Sequence, residues 1–175
     1  ADNLWIIDPI DGSANFSGQI PFFSISICYY YLGQPKAALV YDPIHDELFT
    51  AVGGQGALLN QHRIRCSQTK DISDAMYGIE LRSLQGPLDR IQTLPIHRLR
   101  KLGCTSLSLC YVACGRLDVV ICEQPKIWDR AAGMLIAQEA GTRCFGENLE
   151  PYHDTDHQFL VACPPNLQKH IQLDQ

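Results

Sequence analysis

The sequence has no run of apolar residues approaching the roughly 20 needed to cross a bilayer. Its opening, Ala1-Asp2-Asn3-Leu4-Trp5, has neither the basic cluster nor the apolar stretch of a secretory leader. A cytoplasmic protein with no membrane partner is the plain expectation. Positive charge is also scarce, with 14 Lys and Arg against 19 Asp and Glu and a net charge of -5. Binders of a phosphate backbone normally carry a clustered excess of Lys and Arg, so no nucleic-acid partner is expected. A small anionic substrate would need a metal or local backbone donors to offset repulsion. CxxC pairs are absent too. The eight cysteines at 28, 66, 104, 110, 114, 122, 144 and 163 read as small buried hydrophobes in a reducing compartment. Cys110 and Cys114 can share a helix face, but they lack further ligands at useful spacing.

What is present is a chain of 175 residues, 46% hydrophobic and 19% charged, which is apolar enough to fold around a core. It shows no internal repeat, low-complexity tract or linker. An apolar run from Leu4 to Ile7 leads to Asp8-Pro9-Ile10-Asp11-Gly12, where Pro and Gly predict a turn and place the acidic pair at the end of a strand. Aromatic and β-branched residues from Phe22 to Leu32, then Lys36 to Tyr41 and Glu47 to Val52, are separated by Gly33-Gln34-Pro35 and Asp42-Pro43 and predict a β-meander. Gly53-Gly54-Gln55-Gly56 lacks a nucleotide-binding frame and reads as a hairpin turn. Arg63 to Asp74 is polar. Strands are expected over Met76 to Leu81, Leu117 to Glu123, Arg143 to Phe145 and Phe159 to Ala162. Helices are expected over Pro87 to Leu94, Ser106 to Cys114 and, most strongly, Ile127 to Ala140 before Gly141. A layered arrangement of sheets and helices follows. His153-Asp154-Thr155-Asp156-His157 reads as a solvated loop.

The chemistry concentrates in two strings. In Trp5-Ile6-Ile7-Asp8-Pro9-Ile10-Asp11-Gly12-Ser13-Ala14-Asn15-Phe16, Pro9 stiffens the backbone so that Asp8 and Asp11 can converge. Carboxylates held close repel, and a divalent cation relieves that repulsion; the Ile10 carbonyl is a further candidate ligand. Gly12 permits close backbone approach, its amide and that of Ser13 can face a phosphate oxygen, and the Ser13 hydroxyl can orient a water. In Trp128-Asp129-Arg130-Ala131-Ala132-Gly133, Asp129 falls in the first turn of the strong helix, where an anion is favoured. The small residues after it would let that helix approach the strand carrying Asp8 and Asp11, making a three-carboxylate metal site.

Asp-Pro-Ile-Asp-Gly-Ser-x-Asn-Phe and Trp-Asp-x-Ala-Ala-Gly resemble the two metal and phosphate motifs of the inositol monophosphatase superfamily. Cys110-Tyr111-Val112-Ala113 and Gly115-Arg116-Leu117-Asp118 between them are also similar. The resemblance implies an α/β (α+β) layered sandwich of alternating helices and mixed sheets, like inositol monophosphatase and fructose-1,6-bisphosphatase. It implies Mg2+ as cofactor and hydrolysis of a small phosphate monoester by a metal-activated water. In this reading Asp8, Ile10, Asp11 and Asp129 ligate metal, Asp11 and Ser13 serve catalysis, and Gly12 and Ser13 bind phosphate. A homodimer, lithium sensitivity and a small phosphorylated metabolite as partner are implied as well.

Members of the family carry a further N-terminal segment of helices and a Gly-Glu motif whose Glu binds metal, with no counterpart in these residues. Residues 1–175 are therefore expected to be the larger, C-terminal part of a single phosphatase domain, with one sheet face exposed and little activity alone. Inositol-specific members place a sugar-contacting Glu seven residues before the Asp of the Trp-Asp motif; that position is Cys122 here, next to Glu123, and a pocket alanine is Thr105. Thr105 and Glu123 are accordingly weak candidates for substrate binding, and a preference for something other than myo-inositol phosphate is expected. A 3'(2'),5'-bisphosphate nucleotidase and a non-catalytic interaction module are the alternatives.

Overall fold

Turn residues cut the first third of the chain into strands that fold back on one another. In the computed structural model, which describes residues 2–81, 97–146, 149–152 and 158–171, these are β1 (Asn3–Asp11), β2 (Ser24–Tyr31), β3 (Gln34–Asp42), β4 (Glu47–Val52), β5 (Ala57–Leu59) and β6 (His62–Ile64). They pair antiparallel in sequential order as one six-stranded sheet. Gly33 turns β2 into β3 with φ at 74°, a conformation that side chains resist.

The second sheet contains β7 (Met76–Glu80), β8 (Arg98–Arg100), β9 (Val119–Glu123), β10 (Arg143–Phe145) and β11 (Phe159–Cys163), in the order β10-β11-β9-β7-β8. β7 runs parallel to both β8 and β9, whereas β11 is antiparallel to β9 and β10, so the sheet is mixed. Besides a five-residue helix, α1 (Ser13–Ser17), the chain forms α2 (Thr105–Ala113) and α3 (Ile127–Glu139).

Helices α2 and α3 lie between the sheets. Val40 and Phe49 of the first sheet share a core with Leu107 and Cys110 of α2 and Ala132 and Ile136 of α3. Leu109 and Val112 of α2 face Val120, Cys122 and Leu160 of the second sheet. Each such large side chain, fully buried, contributes about 1.5–3 kcal/mol. A third cluster, including Tyr77, Ile121 and Phe159, packs on the far face of the second sheet against Leu167 and Ile171. The expected layered sandwich is thus the observed one. All eight cysteines are free thiols, six of them buried.

Several boundaries differ from the expectation. β1 continues through Asp8 to Asp11 and turns only at Gly12. Residues 57–64 form a hairpin, and Arg98–Arg100 a short strand; each strand is three residues long, too short to show an alternation. The expected helix at Pro87 to Leu94 and the loop at His153 to His157 lie outside the described residues. No helix among the described residues is long and apolar enough to cross a membrane.

The side of the first sheet away from the helices is apolar and open. Ile6 turns toward the core, so its neighbours Trp5 and Ile7 point outward and are 62% and 54% exposed, beside Tyr29 and Ile27 on β2. An exposed apolar face of this kind marks an interaction or aggregation surface. The 175-residue chain is expected to bind the dye ANS in its native state. The double variant Trp5→Lys, Ile7→Lys should remove much of that fluorescence while keeping the fold, because substitutions at exposed positions change stability little. Equal dye binding by both proteins would contradict this picture of the face.

Candidate metal centre

Residues three apart on a regular strand point to opposite faces, so Asp8 and Asp11 cannot converge on an unbroken β1. The strand is broken between them. Asp8 pairs with Ser26 and Asp11 with Ser24, so β1 spends one residue more than β2 over this stretch. This bulge-like shift at Pro9-Ile10 returns both carboxylates to the helix side. The Ile10 amide donates to Asp8 Oδ1 at 3.0 Å, which fixes the kink locally.

The two serines opposite the aspartates hold the helices in place. Ser24 Oγ lies 2.7 Å from Ser106 Oγ in the first turn of α2, and Ser26 Oγ donates to the Trp128 carbonyl at the start of α3 at 3.3 Å. The first sheet therefore grips the N-terminal ends of both helices beside Asp11 and Asp8. The Ser106 amide donates to Asp11 Oδ2 at 2.7 Å. Asp11 thus supplies from another strand the cap that Cys104, the N-cap of α2, does not make with its own side chain. Cys104 Sγ lies 3.2 Å from the same carboxylate oxygen.

Asp129 stands in the first turn of α3, and its carboxylate accepts the Lys126 amide at 3.3 Å. The helix reaches this close because Gly133 faces α2, where a Cβ would come within 2.8 Å of Leu109 Cβ and 3.1 Å of the Ser106 carbonyl. As a result one carboxylate oxygen from each of Asp8, Asp11 and Asp129 lies within 4.8 Å of the others.

The crowding of negative charge is visible in the proton affinities. Burial raises the Asp11 carboxyl above its ordinary value, and Asp8 adds to this, against the hydrogen bonds from Ser106 and Cys104. Burial, followed by the charges of Asp11 and Asp8, pushes Asp129 up to about 6, although the Lys126 amide opposes the shift. No cationic side chain is among the causes of either shift, and three carboxylates so placed form a donor set that could hold a hard divalent cation.

The carboxylates open into a cavity of about 470 Å³ lined also by Ile10, Gly12, Ser13, Gly103 and Trp128. Gly12 adopts φ 85°, and a Cβ there would lie 3.1–3.2 Å from the Phe22 and Gly103 carbonyls and Cys104 Cβ, so conformation and space both require glycine. Asn15 fastens α1 to this wall by donating to the Phe22 and Leu102 carbonyls at 2.8 and 2.7 Å.

Asp8, Ile10, Asp11, Gly12, Ser13 and Asp129 are therefore brought together, while Thr105 and Glu123 are not among the residues lining the cavity. Thr105 opens α2 one residue before the Ser106 amide that binds Asp11. The register of β9 with both neighbours is unbroken. Cys122 and Val120 face the helices, so Glu123 falls on the opposite side with Ile121. Ser24, Ser26 and Ser106 were not anticipated; the small polar residues breaking the apolar alternation of Ser24-Ile25-Ser26-Ile27-Cys28 are the one signal for the first two.

The sequence matches the model of the inositol monophosphatase family over residues 1–172. The chain belongs to that family. A Nus factor SuhB from Pasteurella multocida is 38% identical over 179 aligned positions, covering 98% of this chain and 66% of that protein. An inositol-1-monophosphatase from Rhizobium meliloti is 39% identical over 152 positions, covering 78% and 54%. Among solved structures, the Thermotoga maritima IMPase superposes with a TM-score of 0.91 at 30% identity, over 98% of this chain and 67% of that one. The chain spans between about half and two thirds of the length of the curated relatives it matches. Family membership supports a phosphatase. Several relatives are nonetheless named as Nus factors, so membership alone does not carry catalysis, and they lend nothing to the charge-based expectation that nucleic acid is not a partner.

Proposed function

We propose that this chain forms the metal-binding part of a Mg2+-dependent hydrolase of small phosphate monoesters. The observation that carries the reading is the convergence of Asp8, Asp11 and Asp129 at the wall of an open, polar cavity. Asp8, Asp11, Asp129 and the Ile10 carbonyl would hold Mg2+. Bound there, the cation would neutralise phosphate charge and supply the acidity that makes water a nucleophile at neutral pH.

The chain's own residues do the rest. Asp11, fixed by the Ser106 amide, accepts cation charge without swinging into solvent. Ser13, exposed at the start of α1, presents a hydroxyl that orients a water. Gly12 and Ser13 offer the rim on which a phosphate oxygen rests without meeting a side chain larger than a hydroxymethyl. Exposed Trp128 and Ile10 border the same opening.

The substrate is a polyol, sugar or amino-alcohol phosphate rather than myo-inositol phosphate. Cys122 is buried against the helices, where inositol-specific relatives are expected to carry a carboxylate, and Glu123 points away from it. The names of the SuhB relatives favour a second reading, an interaction module that keeps the metal site without turnover. A panel of polyol, sugar and inositol monophosphates and a 3',5'-bisphosphate, assayed for phosphate release with and without Mg2+, separates the readings. The natural protein carrying these residues is expected to release phosphate only with Mg2+, at least about 10-fold faster from a non-inositol substrate, a difference of about 1.4 kcal/mol. A strong preference for myo-inositol phosphate would overturn the substrate assignment, and no release by the folded natural protein would favour the module.

A further inference from the structure

A further carboxylate, that of Glu80, lies close to the site. Glu80 is the last residue of β7 and pairs with Cys122 on β9. Its side chain is half-buried and turns toward the segment that leads into α2. Both of its oxygens accept the Gly103 amide, at 3.0 and 3.2 Å, and Oε1 also accepts the Ser108 hydroxyl at 2.7 Å. It thereby ties the turn before α2 to the first turn and a half of that helix.

The same turn forms a wall of the metal cavity. Gly103 lines it, the Gly103 carbonyl and Cys104 Cβ set the space available to Gly12, and two residues further on the Ser106 amide grips Asp11. On its other side the turn is held by Asn15 through the Leu102 carbonyl. The turn is thus fastened twice, once from the site helix α1 and once from the second sheet. Gly103 itself, at φ 77°, sits in a left-handed conformation with no intrinsic preference to hold it there.

We propose that Glu80 is a positioning residue for the metal centre. By clamping Gly103 and Ser108 it fixes the N-terminal turn of α2, and through the Ser106 amide it fixes the direction in which Asp11 presents its carboxylate. The proposal rests on the reading of Asp8, Asp11 and Asp129 as a cation site. It assigns the second sheet a part in building a site whose ligands come from the first sheet and α3.

Mg2+ titration of the 175-residue chain by calorimetry, with thermal melting recorded for each variant, tests it. Loss of a partner that orients a ligand weakens metal binding by about 10–100-fold. Glu80→Ala is expected to lose about 10-fold in Mg2+ affinity, within that range. Glu80→Gln keeps an acceptor for the Gly103 amide and is expected to stay near the unmutated affinity. Ser108→Ala removes one strut only, should fold in any case, and is expected to weaken binding by about 2–3-fold, below the range for a full loss. Glu139→Ala is the control: Glu139 accepts the Gly54 and Gly56 amides of a distant hairpin, at 2.7 Å each, so its loss lowers melting without touching the site. Unchanged affinity in Glu80→Ala, or in Ser108→Ala if the former does not fold, would overturn the proposal. Equal affinity losses in Glu80→Ala and Glu139→Ala would overturn it too, since general destabilisation would then explain both. Absence of Mg2+ binding by the unmutated chain would instead remove the cation reading on which the proposal stands.

Discussion

Asp129→Asn is expected to abolish measurable Mg2+ binding and, at neutral pH, to make the metal-free chain more stable. The two effects have one cause. Burial and the charges of Asp11 and Asp8 hold the Asp129 carboxyl at about 6 in the folded chain, against an ordinary value of 3.8. The folded state therefore keeps this proton more tightly than the unfolded state does. Below about pH 4 both states are protonated and nothing is lost. As pH rises from about 4 to about 6 the unfolded chain ionises first, and stability falls; above about 6 the full cost persists. At this half-buried position, screened by water, that cost is about 1–2 kcal/mol. Asparagine keeps the shape and removes the charge. Melting of the metal-free protein at pH 7.5 should rise in Asp129→Asn and respond to Mg2+ only in the unmutated chain. A lower melting temperature in the variant would mean that the helix N-terminus and the Lys126 amide stabilise the ionised carboxylate more than burial and its acidic neighbours destabilise it.

Gly133→Val is expected to be the most damaging single substitution on α3. Even a methyl group there would lie 2.8 Å from Leu109 Cβ, 3.0 Å from its Cδ1 and 3.1 Å from the Ser106 carbonyl. None of these can give way cheaply, because Leu109 is fully buried and the carbonyl is backbone. Overpacking in a core typically costs about 1–3 kcal/mol, and a branched side chain against backbone falls at or above the upper end, about 3 kcal/mol. Gly133→Ala gains up to about 1 kcal/mol of helix propensity, which offsets part of a smaller clash. Pushing α3 from α2 also draws Asp129 from Asp8 and Asp11, so Mg2+ affinity should fall even where the variant remains folded. Urea denaturation and Mg2+ titration of the two variants check this. A Gly133→Val chain with unmutated stability would show that the two helices are not in contact as described.

Much of the architecture was legible because the chain is punctuated. Gly33-Gln34-Pro35 and Asp42-Pro43 mark the β2–β3 and β3–β4 turns, and Gly141 marks the end of α3. Short elements escaped: His62–Ile64 and Arg98–Arg100 are three residues each and are strands only because a neighbour pairs with them. The acidic residues of the site were legible as strings. Their convergence was not, because strand alternation alone would send Asp8 and Asp11 to opposite faces, and only the register shift against Ser24 and Ser26 reverses this. Ser106 and Glu80 carry no local signal at all. Their partners lie 95 residues away in Asp11 and 23 residues away in Gly103, and only the packed helix layer brings them together.

Family membership supports a phosphatase, and the acidic cluster could hold a metal ion. Mn2+ can stand in for Mg2+ as a hard, oxygen-preferring cation with a paramagnetic signature. Titration of the 175-residue chain with Mn2+, followed by electron paramagnetic resonance at pH 7.5, tests the cation assignment most directly. Saturable binding is expected, displaced by Mg2+ and removed by Asp11→Asn and by Asp129→Asn. No saturable binding, or binding that survives both substitutions, would contradict that assignment.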